Sequence, residues 1–124
     1  MHISASAAVA LLISLAAATT ASAACDGGLG RGWASGKGDG KFTMVAADKS
    51  CPISYPAFIY DTRKVPATEM KLTRAPKSGK LSLSASGPVY TPNAGFKGAD
   101  KFCIRNTAKG EKGSLSGCVT VTVN

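Results

Sequence analysis

Residues 90–102, YTPNAGFKGADKF, join two stretches of β-strand pattern and decide how the chain folds. Pro92 has no N–H group and therefore ends the strand that precedes it. Gly95 and Gly98 tolerate positive φ angles, which indicates a loop, and Phe96 between them is expected to plug the end of a core. Polar and apolar residues alternate after this loop, so a second strand begins there. The stretch predicts a strand, an anchored loop and another strand.

Short segments with a β pattern occur along most of the chain after its first 40 residues. They lie at residues 42–45, 53–60, 70–73, 80–84, 89–90, 102–106 and 118–123. Pro56 interrupts the second segment, which predicts an edge or bulged strand there. No window after the first 24 residues shows a 3.6-residue period, so we expect essentially no helix. Short strands separated by turns that contain Pro or Gly predict an all-β sandwich.

Residues 90–102 also resemble the signature segment of the bacterial immunoglobulin-like and cadherin-like repeats of large extracellular adhesins. The resemblance covers about residues 65–124 and includes RAPKSGKL at 74–81 and VTVTV at 119–123. It implies a small immunoglobulin-like antiparallel β-sandwich over residues 41–124, with Asp100 capping the loop that precedes it. Only one copy is present, so the module is expected to stand alone and not in a repeat array.

Residues 1–24 have the pattern of a secretory signal peptide. Positions 3–24 are apolar or small, with VALLISL at 9–15 and ASA at 21–23 before the expected cleavage site. This pattern predicts a secreted or periplasmic protein whose mature form has no membrane span. In an alternative interpretation, Cys25 is the lipidated first residue of a lipoprotein, which would leave an odd number of cysteines.

The segment that follows the leader is rich in glycine. Half of the 14 glycines lie between Gly27 and Gly40, which predicts an irregular Gly-rich N-terminal arm over residues 25–40. Trp33 is the only large aromatic residue of this arm. It has two interpretations: it packs on the flank of the domain, or it is an exposed contact for a sugar or a protein partner.

Four cysteines in a small secreted domain predict two disulfides, for which three connectivities are possible. If Phe102 points into the core, Cys103 points outward, and the alternation of the last strand places Cys118 outward as well. Pairing these strands antiparallel with Cys103 opposite Cys118 places Phe102 opposite Val119, which is a favourable core pair. The inward and outward alternation of both strands is thus consistent with one pairing, so the disulfide Cys103–Cys118 is the preferred one.

Cys25 with Cys51 then follows by elimination and would fasten the Gly-rich arm to the domain. The cysteine spacings fit neither a zinc site nor a Cys-x-x-Cys redox pair. The seven acidic residues are scattered, whereas a calcium site needs several carboxylates in one place. We therefore predict no metal and no cofactor.

The chain has a formal net charge of +8, all of it after residue 24. The strand alternation places Lys71, Lys101 and Arg105 on outward faces, and the predicted hairpin tip adds Lys109 and Lys112. These cations have two interpretations: a solvated surface that supports solubility, or an electrostatic footprint for an anionic partner. Nucleic acid is the weakest such partner, because no aromatic residues interleave with the basic positions.

The sequence offers few groups for catalysis. Its only histidine, His2, belongs to the predicted leader, so we do not expect an enzyme. The leading hypothesis is a non-catalytic binding or structural module of the cell envelope, acting as a monomer. It would contact an anionic polymer, a glycan or another secreted protein through a basic surface. The alternative is a small secreted inhibitor or antimicrobial effector that uses loop tips and the Gly-rich arm.

Overall fold

The computed structural model describes residues 25–124, so the predicted signal peptide lies outside the described residues. Short strands account for most of the regular structure in this part of the chain. The strands are β1 (Cys25–Gly28), β2 (Gly38–Met44), β3 (Cys51–Pro52), β4 (Ala57–Ile59), β5 (Lys64–Pro66), β6 (Glu69–Arg74), β7 (Gly79–Ser84), β8 (Gly87–Pro92), β9 (Gly98–Thr107) and β10 (Leu115–Val123). The only helical turns among residues 25–124 are two three-residue 3-10 helices. The prediction of an all-β fold is confirmed.

The strands form a five-stranded sheet, a three-stranded sheet and a separate hairpin. The orders are β1-β2-β10-β9-β6 and β3-β8-β7, and β4 pairs only with β5. Strands β6, β9 and β10 are neighbours in one sheet, and β8 lies between β3 and β7 in the other. One pairing departs from the expected antiparallel pattern, because β2 runs parallel to β10.

Alternating apolar side chains of the two long C-terminal strands form the centre of the core. Phe102 and Ile104 of β9 and Val119 and Val121 of β10 are fully buried. Tyr90 of β8 lies against Phe102 with parallel rings whose centroids are 6.0 Å apart, so the two sheets pack face to face there. Burial of each such side chain stabilises the fold by about 1.5–3 kcal/mol.

The carboxylate of Asp100 is buried, with only 5% of the residue exposed, and several donors surround it. It accepts hydrogen bonds from the backbone N–H groups of Lys77 (2.9 Å) and Ser78 (3.0 Å). The hydroxyl of Tyr90 donates to it at 2.7 Å. The resemblance implied that Asp100 caps the loop before it; instead it binds the turn between β6 and β7. The reason is the position of Asp100 in β9, where its carboxylate is within hydrogen-bonding distance of the backbone N–H groups of Lys77 and Ser78.

The interpretation of residues 25–40 as an irregular arm is wrong at both ends of the segment, whereas residues 29–37 between them form a loop with one 3-10 turn. Strand β1 and the first three residues of β2 belong to the five-stranded sheet, and residues Gly38 to Met44 alternate strictly between buried and exposed. Gly38 and Gly40 face inward, where a side chain would have no room. The glycines therefore permit close backbone approach within the sheet, so the predicted domain boundary at residue 40 falls inside a strand.

The predicted strand at 53–60 is also divided differently. Strand β3 ends at Pro52, and the segment containing Pro56 leaves the sheet before β4 begins. Strand β4 pairs with β5 from Ala57 to Ile59, which makes a hairpin outside the two main sheets. Because proline cannot donate to a strand ladder, the chain changes direction at this position.

Both predicted disulfides are present. Cys103 and Cys118 lie directly opposite each other in β9 and β10, with Phe102 opposite Val119, as the alternation predicted. The second disulfide, Cys25–Cys51, links β1 at the edge of one sheet to β3 of the other. Two disulfides indicate an oxidising compartment outside the cytoplasm. Within residues 25–124, no helix is long and apolar enough to cross a membrane.

We predict that Asp100→Ala destabilises the protein more than Tyr90→Phe does. The first change removes the acceptor of three part-buried backbone N–H groups, those of Lys77, Ser78 and Lys101, and of the Tyr90 hydroxyl, which costs about 3 kcal/mol or more; the second removes one hydrogen bond and costs about 1.5 kcal/mol. Urea unfolding of the oxidised variants measures both. Asp61→Ala in the exposed turn between β4 and β5 is the control, expected within about 0.5 kcal/mol of the parent. Equal losses for Tyr90→Phe and Asp100→Ala would contradict the central role of the carboxylate.

We predict that Tyr90 stays un-ionised at pH values where an ordinary tyrosine ionises. Burial raises the pKa of Tyr90, and the hydrogen bond to Asp100 and its negative charge raise it further. An unfolded tyrosine has a pKa of about 10, so this contribution to stability is complete below about pH 10 and is lost as the pH rises further. Spectrophotometric titration of the parent and Tyr90→Phe should give a difference curve with no transition near pH 10 while the protein is folded. A normal transition in that curve would refute the prediction.

Candidate functional site

The outer side of the five-stranded sheet gathers exposed cations from three strands. We name this surface the basic face. It consists of Lys41, Lys71, Arg74, Lys101 and Arg105, all of which are exposed. Lys71 lies directly opposite Arg105, and Lys101 and Lys41 lie on either side of Thr120. The structure thus brings together the three sheet residues that the sequence predicted, Lys71, Lys101 and Arg105, and adds two more.

Arg74 joins the basic face because of an irregularity in β6. The alternation predicted that Thr73 would point outward together with Lys71. The register shifts between Leu72 and Arg74, however, so that Arg74 is opposite Cys103. Such a bulge inserts an extra residue and reverses the phase of the strand beyond it. No simple sequence signal marks it, which is why Arg74 was missed.

Lys41 was missed for a different reason. Its position depends on the parallel pairing of β2 with β10, in which it lies opposite Thr120. The glycines before Lys41 predicted an arm, so no sheet neighbour was assigned to it. Its ammonium group lies 4.0 Å from Asp39, and both side chains are exposed. An exposed ion pair of this kind contributes little to stability.

Like charges are concentrated on the basic face and are only partly compensated. Two ion pairs occur within residues 25–124: Lys41–Asp39, and Arg63–Glu111 away from the face. In that part of the chain, neither Lys71 nor Arg105 therefore forms an ion pair with a carboxylate. The two cations lie directly opposite each other on neighbouring strands. Like charges in directly opposed positions destabilise a sheet. An external anion would relieve this repulsion.

A cleft of about 410 Å³ lies beside this cross-strand pair. Its lining residues come from β6 and β9: Glu69, Met70, Lys71, Arg105 and Thr107. The guanidinium of Arg105 is oriented by its Nε–H, which donates to the hydroxyl of Ser114 at 3.2 Å. The hydroxyl of Thr107 donates to one carboxylate oxygen of Glu69 at 3.3 Å. The cleft therefore presents two cations and one carboxylate on neighbouring strands.

The predicted hairpin-tip residues, Lys109 and Lys112, are exposed, but they lie in the loop between β9 and β10, beyond the sheet face. Glu111 between them accepts a hydrogen bond from the hydroxyl of Tyr60, and Arg63 lies 3.4 Å from its carboxylate. The hydrogen bond from Tyr60 and the charge of Arg63 lower the pKa of Glu111. These contacts join the tip to the hairpin of β4 and β5, so the tip is anchored there.

The interpretation of Trp33 as an exposed contact is wrong. Only 5% of the residue is exposed, and the indole N–H donates to the carbonyl of Leu29 at 2.6 Å. The indole lies against Gly38, which has no side chain to displace it. The other interpretation, packing on the flank of the domain, is correct. Trp33 therefore belongs to the core and is removed from the candidate binding residues.

The described residues contain no candidate metal centre. Within residues 25–124, no group of three or more His, Cys, Asp or Glu side chains could hold a metal ion. The chain has no match among protein-family models, curated proteins or solved structures.

We predict that Gly38→Ala destabilises the protein by about 2 kcal/mol or more, because a methyl group there would overlap the indole of Trp33. Gly28→Ala is the matched control from the same Gly-rich segment: a methyl group at Gly28 meets no atom within 4 Å, and its effect should stay within about 0.5 kcal/mol. Trp33 is the only tryptophan, so its fluorescence reports unfolding in urea. Equal stability of the two variants would contradict the packing role of Gly38.

Proposed function

We propose that this protein is a non-catalytic binding module of a bacterial cell envelope, secreted or periplasmic, which contacts an anionic polymer through the basic face. One observation carries the proposal. Lys71 and Arg105 oppose each other on a rigid sheet, without a carboxylate in ion-pair contact within residues 25–124. Arg74 and Lys101 extend the positive surface along the same strands. An anionic chain lying across β6 and β9 would meet several cations at once.

The rigidity of the sheet favours this role. The disulfide Cys103–Cys118 joins β9 to β10 in the middle of the basic face. The cations therefore project from a surface whose backbone is already ordered, and binding costs little conformational entropy there. A binding surface of this kind needs no moving part.

The two disulfides support the proposal that residues 1–24 are a signal peptide and that the module works outside the cytoplasm. We propose that it acts as a monomer. The order of the strands supports the further proposal that the module is related to the immunoglobulin-like repeats of adhesins. In a lipidated form, Cys25 would be acylated. Its disulfide with Cys51 favours the unlipidated form.

The alternatives have less support. An inhibitor or antimicrobial effector would use Trp33 and mobile loop tips, but Trp33 is buried and the tip at Glu111 is held by Tyr60. A nucleic-acid partner would favour aromatic side chains among the cations, so that bases could stack on them. The basic face itself contains no aromatic residue.

The test is co-sedimentation of the oxidised protein with isolated envelope fractions over a range of salt concentrations. We expect retention at low salt that falls steeply as salt screens the exposed charges. Charge reversal at Lys71, Lys101 and Arg105 (each to Glu) should weaken retention by about 10- to 100-fold, since each exposed ionic contact contributes up to about 1 kcal/mol.

In the control variant, three exposed lysines outside the basic face are each changed to Glu: Lys37, Lys64 and Lys80. It has the same net charge as the test variant and should keep its retention. If both variants lose the same amount of retention, retention depends only on net charge, and the proposal that the basic face is the specific binding surface is contradicted. Absence of retention at low salt would overturn the proposed function.

A further inference from the structure

The cleft beside Lys71 and Arg105 contains a carboxylate, which a simple anion site would avoid. We infer that this cleft binds a zwitterionic group: a phosphate held by Lys71 and Arg105, with a neighbouring ammonium held by Glu69. This inference deepens the proposed function, because it names the chemical group of the polymer that the basic face would recognise. It makes the face selective for anionic groups that carry an amine.

The cationic half of the cleft is preorganised. Lys71 and Arg105 are paired across β6 and β9, and the Nε–H of Arg105 is held by Ser114. The terminal nitrogens of the guanidinium have no recorded hydrogen bond to residues 25–124, so they are available to an external acceptor. A guanidinium presents its N–H groups in a planar fork that suits the oxygens of a phosphate. The ammonium of Lys71 supplies a second charge from the neighbouring strand.

The acidic half lies two residue pairs further along the same two strands. Glu69 is opposite Thr107, two residues from the pair formed by Lys71 and Arg105. This separation corresponds to about 7 Å along a strand. Thr107 donates to one carboxylate oxygen of Glu69, and Glu69 makes no ion pair with a cation of residues 25–124. Its negative charge is therefore available to a ligand.

The combination discriminates between ligands. A plain phosphate ester is attracted by Lys71 and Arg105 but repelled by Glu69, whereas a ligand with an amine close to its phosphate is attracted at both ends. The volume of the cleft, about 410 Å³, lies in the range typical of small-molecule sites. It has room for a group the size of phosphoethanolamine, attached to a polymer or to a lipid.

The test compares two probes that differ only in the amine, phosphoethanolamine and ethyl phosphate. Binding to the oxidised protein is followed by NMR titration of the backbone amides. We expect phosphoethanolamine to bind about two- to fivefold more tightly, with the largest shifts at residues 69–71 and 105–107, since each exposed ionic contact is modest. Equal affinity, tighter binding of ethyl phosphate, or shifts elsewhere on the surface would overturn the inference.

Substitutions separate the two halves of the cleft. Lys71→Gln and Arg105→Gln should weaken both probes, whereas Glu69→Gln should abolish the preference and leave the affinity for ethyl phosphate equal or higher. Asp61→Asn removes one carboxylate from an exposed turn and is the matched control, expected to keep the preference. A preference that survives in Glu69→Gln would contradict the role of this carboxylate even if binding itself is observed.

Failure of this inference can be told apart from failure of the proposed function, because envelope retention and the preference for phosphoethanolamine are measured separately. Envelope retention without a preference for phosphoethanolamine would overturn this inference and leave the basic face as a general polyanion site. Vesicles of phosphatidylcholine with and without phosphatidylethanolamine then identify the source of the group. Sedimentation with phosphatidylethanolamine vesicles only would support a lipid headgroup. Binding of free phosphoethanolamine without vesicle sedimentation would support an envelope polymer that carries the same group.

Discussion

The hydrogen bonding of one buried carboxylate holds the rest of this structure in place. A buried charge is costly unless it is fully hydrogen-bonded, and Asp100 meets this condition only if three segments come together. These are its own strand β9, the turn that contains Lys77 and Ser78, and Tyr90 of the opposite sheet. The ring of Tyr90 then lies on Phe102, so the polar anchor and the apolar core align the same two strands.

The position of β9 in turn determines the candidate site. Once Phe102 is buried, every second residue of β9 faces outward, which places Cys103 against Cys118 and Arg105 against Lys71. The same register brings Thr107 beside Glu69. The core pair Phe102–Val119 and the disulfide Cys103–Cys118 fix the position of β9. Charged side chains on this strand are therefore held at defined spacings, even where they repel each other. Selectivity can therefore arise from a shallow cleft on the face of a sheet.

Sequence reasoning succeeded where a period of two was clear. It predicted β6, β7, β9 and β10 and the disulfide Cys103–Cys118, because each of these depends on which side of a strand a residue faces; Cys25–Cys51 then followed by elimination. It failed in the Gly-rich segment, since glycine is associated both with irregular loops and with close packing inside a sheet. Trp33 illustrates the difference: its neighbours in sequence suggested an exposed arm, whereas Gly38 provides the surface on which the indole is buried.

The sequence by itself determined the all-β class, the disulfide connectivity and the outward direction of Lys71, Lys101 and Arg105, because alternation along a strand is a local property. Only the tertiary structure decided that Lys41 and Arg74 join these residues and that Glu69 lies in the same cleft as Arg105. These placements depend on a parallel pairing, a bulge and the register of β6 against β9, all of which result from pairing between distant segments. The charge of the basic face could thus be foreseen, but the arrangement of its charges could not.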